Sequence, residues 1–403
     1  MQIIEHIIEN NLCTGCGICA SVFHKKIKIA YDSSFNRPVL DGALDSMEVK
    51  HFRRICPGIN QNAPHKPSDC MQHPIWGNYY ESALGYSCND DIRHRASSGG
   101  ILSQTAIYLL EQGLVDGVIH IKASDEKPLL NVATISKTAD EVLSAAGSRY
   151  SPASPLINLV QIVKGNPDQK FCFIGKPCDV TALRNLISVE PSIGKSIPYL
   201  LSFFCAGTPS REGVEAVLDR LNVKPQDIIK FDFRGNGWPG KTVATTRSSI
   251  KEMSYNDSWG NILGPTIQHR CKICADGIGE NADLVSADVW HSDENGYPLF
   301  DESDGEGLVL PRTNVGSHLV RQMITKGVIS TQSYDLENLK NVQPTQFERK
   351  GTFYARALAK LIVHQAIPSF SGQRIFQAAF QVGLNKNLRS FVGSFLRARQ
   401  GKL

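Results

Sequence analysis

Residues 170–207 read KFCFIGKPCDVTALRNLISVEPSIGKSIPYLLSFFCAG. An apolar run from Lys170 to Gly175 gives way to a helical pattern from Val180 to Leu186, and a second apolar run follows from Ile197 to Phe204. Strand, helix, strand is the unit of a largely parallel sheet covered by helices, because a parallel return needs a long crossover. Cys178 and Cys205 each lie just past one of these strands. A parallel unit therefore brings both thiols out at one carboxyl edge, where open α/β sheets bind their ligands.

The same rhythm extends in both directions. Ala96-Ser-Ser-Gly-Gly100 opens a helical pattern that stops at Gly113, Val115–Ile121 reads as a strand, and Glu212–Leu221 reads as a helix. From Phe231 to about Thr313 glycine-rich loops and short strands dominate, and from about Phe353 the tail is helical with a break at Pro368 and Gly372. The expected architecture is α/β, with a small cysteine-bearing domain at 1–75, α/β domains at 76–165 and 166–330, and a helical tail at 331–403.

Of 403 residues, 41% are hydrophobic and 20% charged, which suits packed cores and excludes disordered or collagen-like chains. The net charge of +4 conceals a division. From Arg349 onward there are ten Lys and Arg and no Asp or Glu, so the remainder holds 33 basic against 39 acidic residues. An acidic body gives no footprint for nucleic acid. Eleven cysteines, odd in number and clustered, argue against a disulfide framework and for a reducing cytoplasm. The start lacks a secretory pattern, and no window approaches the roughly 18 apolar residues of a membrane span.

Cys13-Thr-Gly-Cys16-Gly-Ile-Cys19, with the distant Cys56-Pro57, has the spacing of a loop that wraps one face of a metal–sulfur cube. The further cysteine of a bacterial ferredoxin run is replaced at Phe23 and His24, so a single ferredoxin-like [4Fe-4S] cluster is expected here. The competing reading is a zinc site, although zinc ligands usually arrive as two separated pairs. A second set, Cys178, Cys205, Cys271 and Cys274, is scattered. On residues alone a four-thiolate site and buried core cysteines stand level. Cys172, inside Phe-Cys-Phe-Ile, reads as core, and Cys70 and Cys88 have no partner at metal spacing.

Ser97, Ser98, Gly99 and Gly100 at a helix start offer either an anion nest or an ordinary cap. Arg149 and Tyr150 offer either a phosphate partner and a stacking ring or a surface arginine beside a core tyrosine, and Lys176 either a cation beside Cys178 or a solvated loop lysine. Asp288 and His291 are candidates for proton transfer to a substrate, weighed against a structural cap and a solvated loop histidine; Asp276 and Asp283 rank as structural. No Gly-x-Gly-x-x-Gly at a strand–helix junction supports a nicotinamide site.

Taken together, the cysteine run, Ser97-Ser-Gly-Gly100, Gly147-Ser-Arg-Tyr150, Gly175-Lys-Pro-Cys178, Phe204-Cys-Ala-Gly207, Phe233-Arg-Gly-Asn-Gly-Trp-Pro239 and Cys271-x2-Cys274 resemble the coenzyme F-420 hydrogenase/dehydrogenase beta-subunit family. The resemblance spans roughly Asn10 to Thr313. It implies a second [4Fe-4S] cluster on Cys178, Cys205, Cys271 and Cys274, and FAD near Ser97–Gly100, Arg149, Tyr150 and Lys176. It also implies electrons arriving from ferredoxin or a partner subunit and leaving to a small-molecule substrate. Alternatives are an input subunit that oxidises coenzyme F-420 and a zinc-stabilised, non-redox interaction protein in polysaccharide biosynthesis. The sequence departs from the family at Ala287-Asp288, where relatives usually have Gly-Asp, and at Val289–Asp293. The basic tail lies beyond the resemblance. It is expected to dock an acidic partner or an anionic membrane face, so that truncation at Gly351 costs association but not cofactors.

Overall fold

The computed structural model describes residues 3–31, 33–64, 66–289 and 302–400. Helix Ile3–Glu9 buries Ile4 and Ile7 and leads into the first cysteine loop, which ends in helix Ile18–Val22. A hairpin follows, β1 (Ile27–Ala30) against β2 (Arg37–Leu40), with Ile27 opposite Leu40. Helix Ser46–Ile55 starts at Asp45, whose carboxylate accepts from the N–H of Met47 and Glu48 while Glu48 accepts from the N–H of Asp45. This reciprocal cap fixes the helix so that it delivers Cys56 at its end, where Pro57 cannot continue it. A second hairpin pairs β3 (Met71–His73) with β4 (Gly77–Tyr79).

The main sheet takes β5 (Ala83–Ser87), β6 (Gly117–Ala123), β7 (Asn131–Ser136), β8 (Phe171–Ile174) and β9 (Tyr199–Phe203). The chain then builds a separate meander of β10 (Ile228–Asp232), β11 (Thr242–Thr246) and β12 (Ile250–Met253). It returns to the sheet with β13 (Leu284–Asp288), β14 (Gly307–Pro311) and β15 (Ile329–Ser333). The order across the eight strands is β15-β5-β14-β13-β9-β8-β6-β7. Its four central strands, β13, β9, β8 and β6, are parallel, and the flanking pairs are antiparallel. The expected parallel sheet is thus the centre of a mixed one. β7 runs back along β6 because the connection between them is too short for a crossover.

Alternate residues of each central strand feed opposite cores. Phe171 and Phe173 belong to one buried cluster, and Cys172 between them to the other; Leu200 and Leu201 divide in the same way. Cys172 is therefore a core residue. The first cluster also contains Ile4, Ile7, Phe52 and Ile55 together with Val180, Leu183 and Leu186. The N-terminal segment accordingly has no core of its own, and the sheet draws strands from both sides of residue 165.

The tail is helical as expected, with helices Pro344–Gly351, Phe353–Ile362, Ile375–Val382 and Leu384–Arg399. Its first half packs back on the molecule: Phe353 and Phe370 stack edge to face at 4.6 Å in a cluster with Ala275. Lys350 and Arg374 both pair with the buried carboxylate of Glu280. Among the described residues, no helix is long and apolar enough to cross a membrane.

Candidate functional site

Helix Pro177–Val189 begins with Lys176 as its cap and Pro177 at its first position. Asp179 accepts both the N–H (3.1 Å) and the ammonium (2.7 Å) of Lys176. Cys178 is thereby fixed in the first helical turn, where free N–H groups and the helix dipole favour a thiolate. Cys205 lies just past β9, and its N–H bonds to Gly277 O at 2.8 Å, tying it to the loop that carries Cys274. That loop is folded around Asp276, which accepts from the N–H of Ile278, Gly279 and Glu280 at 3.3, 2.8 and 3.1 Å.

Cys178, Cys205, Cys271 and Cys274 border one small void of about 20 Å³, together with Thr14, Gln61, Lys176, Arg270 and Arg349. Two N–H groups point at its sulfurs, Thr208 N to Cys271 Sγ at 3.4 Å and Gln61 Nε2 to Cys274 Sγ at 3.6 Å. Burial pushes the Cys178 thiol well up. Burial and then the neighbouring Cys271 push Cys205 to about 12, against the pull of Lys176 and Arg349. A thiol quartet around a void, supplied with N–H donors and three cations, fits an iron–sulfur group.

The first quartet, Cys13, Cys16, Cys19 and Cys56, is buried to 9% exposure or less. Gly15 and Gly17, at φ +75° and +87°, let the run curl. A Cβ at Gly17 would come within 3.0 Å of Ile157 N. Gly15 N–H bonds to Cys13 Sγ at 3.4 Å. Burial raises all four thiols, Cys16 to about 12, and Cys19 also feels the charges of Cys16, Cys13 and Cys56. The two quartets are neighbours: Asp179, beside Cys178, is the second cause of the rise at Cys16, and Thr14 of the first loop borders the second void. Among the described residues, no group of three or more His, Cys, Asp or Glu side chains converges closely enough to hold a single metal ion.

Against the second void lies a much larger cavity of about 410 Å³, in the size range of small-molecule sites. The two share Lys176, Cys205, Gly207 and Thr208 as a common wall. The cavity opens at the carboxyl ends of β8, β9 and β13, the edge expected from residues 170–207. Its far wall comes from the meander, joined through the Ser148–Arg234 bridge. Gly147, at φ +92°, permits that approach, since a Cβ there would meet Arg234 O at 2.6 Å. Tyr150 and Trp259, 4.6 Å apart, and Tyr255 give an aromatic lining. Ser97 and Ser148 share a hydrogen bond at 2.9 Å, and Ser98 donates to Asp288 at 2.8 Å. Arg234 grips the same carboxylate with two bonds of 2.6 and 2.8 Å. Burial opposes ionisation of Asp288, yet Arg234, Ser98 and Trp238 hold its carboxyl below the usual range. An aromatic wall, hydroxyls and a volume of this size fit a flavin ring.

The expected flavin contacts divide. Ser97, Ser98, Tyr150 and Lys176 border the cavity. Gly99 and Gly100 do not; they sit at φ +68° and +75° under Gly85 O and Ile92 O, where a Cβ would come within 2.8 and 3.0 Å. Their glycine character serves packing. Arg149 also borders the cavity, but its guanidinium donates to Asn131 Oδ1, Phe231 O and Pro128 O at 2.7–2.8 Å. It clamps the turn onto the meander. Burial works against the charge of Lys176, but Asp179, whose carboxylate is 2.7 Å away, holds it protonated, and Cys178 and Cys205 add to this as thiolates. His291 lies outside the described residues.

Several contributors escaped the sequence reading. Gln346 and Arg349 both donate to Cys205 O at 3.0 Å, and Arg349 also to Ala206 O. Arg356 donates to Lys272 O at 2.7 Å, between the two cysteines of the C-x2-C turn. The first part of the tail thus bonds to the loops of the second quartet, contacts that the docking reading of the tail did not include. No local motif marks these residues. Arg234 and Trp238 lie in the glycine-rich 233–239 stretch and were traceable through it.

Fold and site together define an α/β protein that sets two cysteine quartets, one buried and one partly buried, beside a ligand-sized cleft. Comparison with family models matches residues 83–161 to the coenzyme F420 hydrogenase/dehydrogenase beta-subunit N-terminal model and 168–337 to its C-terminal model. The chain belongs to that family, whose named relatives are oxidoreductases. It is 27% identical over 263 residues to the coenzyme F420 hydrogenase subunit beta of Methanococcus voltae, covering 64% of this chain and 86% of the relative. It is 28% identical over 273 residues to the chloroplastic 7-hydroxymethyl chlorophyll a reductase of Oryza sativa, covering 68% and 53% respectively. A chain of the F420-reducing [NiFe] hydrogenase complex from Methanosarcina barkeri shares the fold, with a TM-score of 0.56 at 20% identity over 72% of this chain and 96% of that one.

Proposed function

We propose that the chain is an electron-transferring iron–sulfur flavoprotein. One [4Fe-4S] cluster is held by Cys13, Cys16, Cys19 and Cys56 in a ferredoxin-like loop, a second by Cys178, Cys205, Cys271 and Cys274, and FAD occupies the large cavity. The observation that carries this reading is the wall shared by the thiol-ringed void and the cavity, with the first quartet next to the void. Clusters supply single-electron steps and a flavin joins them to two-electron chemistry.

The protein's own part is positional and electrostatic. Burial of Cys13, Cys16, Cys19 and Cys56 keeps water from the first metal site, whereas the thiols of the second are only partly covered. Thr208 and Gln61 aim N–H groups at sulfur, which favours the electron-rich state. Lys176 carries a positive charge between void and cavity. Ser97 and Ser98 offer hydroxyls to a bound flavin, and Asp288, kept ionised by Arg234, holds Ser98 in place. Electrons come from ferredoxin or a redox partner subunit, and a small-molecule substrate enters the same cleft. Eleven unpaired cysteines suit a reducing cytoplasm. The names of the relatives favour one variant, in which reduced coenzyme F420 is the substrate and the chain feeds electrons to a catalytic partner.

Anaerobic purification should yield iron, acid-labile sulfide and flavin together, with Cys178→Ser losing about half of the iron. Zinc without sulfide, or the absence of flavin after reconstitution, overturns the proposal. Dye reduction with reduced coenzyme F420 as donor, the coenzyme being oxidised as the dye is reduced, identifies the variant.

A further inference from the structure

The last three helices carry a face that the cysteine sites do not use. Helix Phe353–Ile362 buries Ala355, Ala357 and Ala359 and exposes Leu358, Leu361 and Ile362. Helix Ile375–Val382 buries Ala378 and exposes Phe376 and Phe380, the latter to 71%. Helix Leu384–Arg399 buries Ser394 and Ala398 and exposes Leu384, Leu388, Val392 and Leu396, a stripe at every fourth residue. Each helix turns alanine or serine inward and most of its larger apolar side chains outward. Since burial stabilises in proportion to apolar area, folding of the chain alone favours the opposite arrangement. The face is continuous between the first two of these helices: the rings of Tyr354 and Phe376 are 5.5 Å apart, and Phe376 packs edge to face on Phe380 of its own helix at 5.0 Å.

Charge narrows the occupant. No Asp or Glu follows Glu348 in the sequence. Arg389, Arg397 and Arg399, on the last helix, are exposed and make no ion pair among the described residues. Two copies meeting through this face would set these cations against one another. Amphipathic helices with large apolar side chains on one face and arginine at its border match a bilayer interface. We propose that this face lies on the surface of an anionic lipid bilayer, its leucines and phenylalanines among the upper acyl carbons and its arginines among the headgroups. Arg356, on the first of these helices, donates to Lys272 O inside the C-x2-C turn, so the second quartet would sit on the protein side of that helix.

The test is flotation of the anaerobically purified full chain with phosphatidylcholine vesicles, with and without phosphatidylglycerol. Binding is expected to the anionic vesicles, weakened about tenfold by neutral lipid or high salt. Leu388→Glu/Val392→Glu is expected to abolish flotation while far-UV circular dichroism and iron content stay unchanged. Lack of flotation with anionic vesicles at low salt overturns the proposal. So does flotation that survives the double substitution in a folded protein. A dimer that the double substitution dissociates, with no vesicle binding, assigns the face to self-association instead.

Discussion

At the scale of single residues, the site depends on groups whose ionisation the fold has fixed. His120 lines the cavity, bonds to Ser136 Oγ at 2.8 Å, and is driven by burial to a pKa of about 4 from an ordinary 6.5. The unfolded chain takes up a proton on this histidine below pH 6.5 and the folded chain does not. Stability is therefore lost as pH falls from 6.5 towards 4, by up to about 3 kcal/mol. His120→Gln keeps a bond to Ser136 within reach, and its denaturant midpoint should fall less steeply over that pH window than the wild type's. The cysteines were legible at this scale because two-residue spacing is itself geometry. Arg149 was visible as a residue but not in its role, because a guanidinium's partners, here carbonyls of Pro128 and Phe231, are set by loops that carry no pattern.

At the scale of elements, the crossover from β8 to β9 was readable because apolar runs and a helical period repeat locally. It placed Cys178 and Cys205 at one edge correctly. The mixed flanks of the sheet were not readable, since β5, β14 and β15 meet only through pairings between residues more than 200 positions apart in sequence. The tail helices show the same limit. Their cations read as a docking surface, yet Lys350 is 2% exposed and shares Glu280 with Arg374. Removing one partner of such a buried set is costly. Lys350→Met should destabilise by about 3 kcal/mol in urea denaturation. Lys386→Met, which breaks a half-exposed pair with Glu348, should leave the midpoint within error.

At the scale of the whole molecule, the two quartets, the cavity and the tail form one unit. A chain ending at Gly351 loses the Arg356 bond to Lys272 O, the Arg374 pair with Glu280 and the Phe353–Phe370 contact. It should therefore lose iron from the second quartet as well as any association, measured as iron and sulfide per chain against the full-length protein. Retention of all iron would return the tail to a purely peripheral role. The clamp of Cys205 by Gln346 and Arg349 also bears on biosynthesis. The ligands of the first quartet have all been made by residue 56, whereas the second has its ligands by residue 274 but its clamp only after residue 349. A ribosome-bound chain thus displays the second set of thiols for some 75 residues of synthesis without their supports. Loading of that set would follow completion of the chain, and its exposed thiols would be the ones at risk from oxygen while translation is under way.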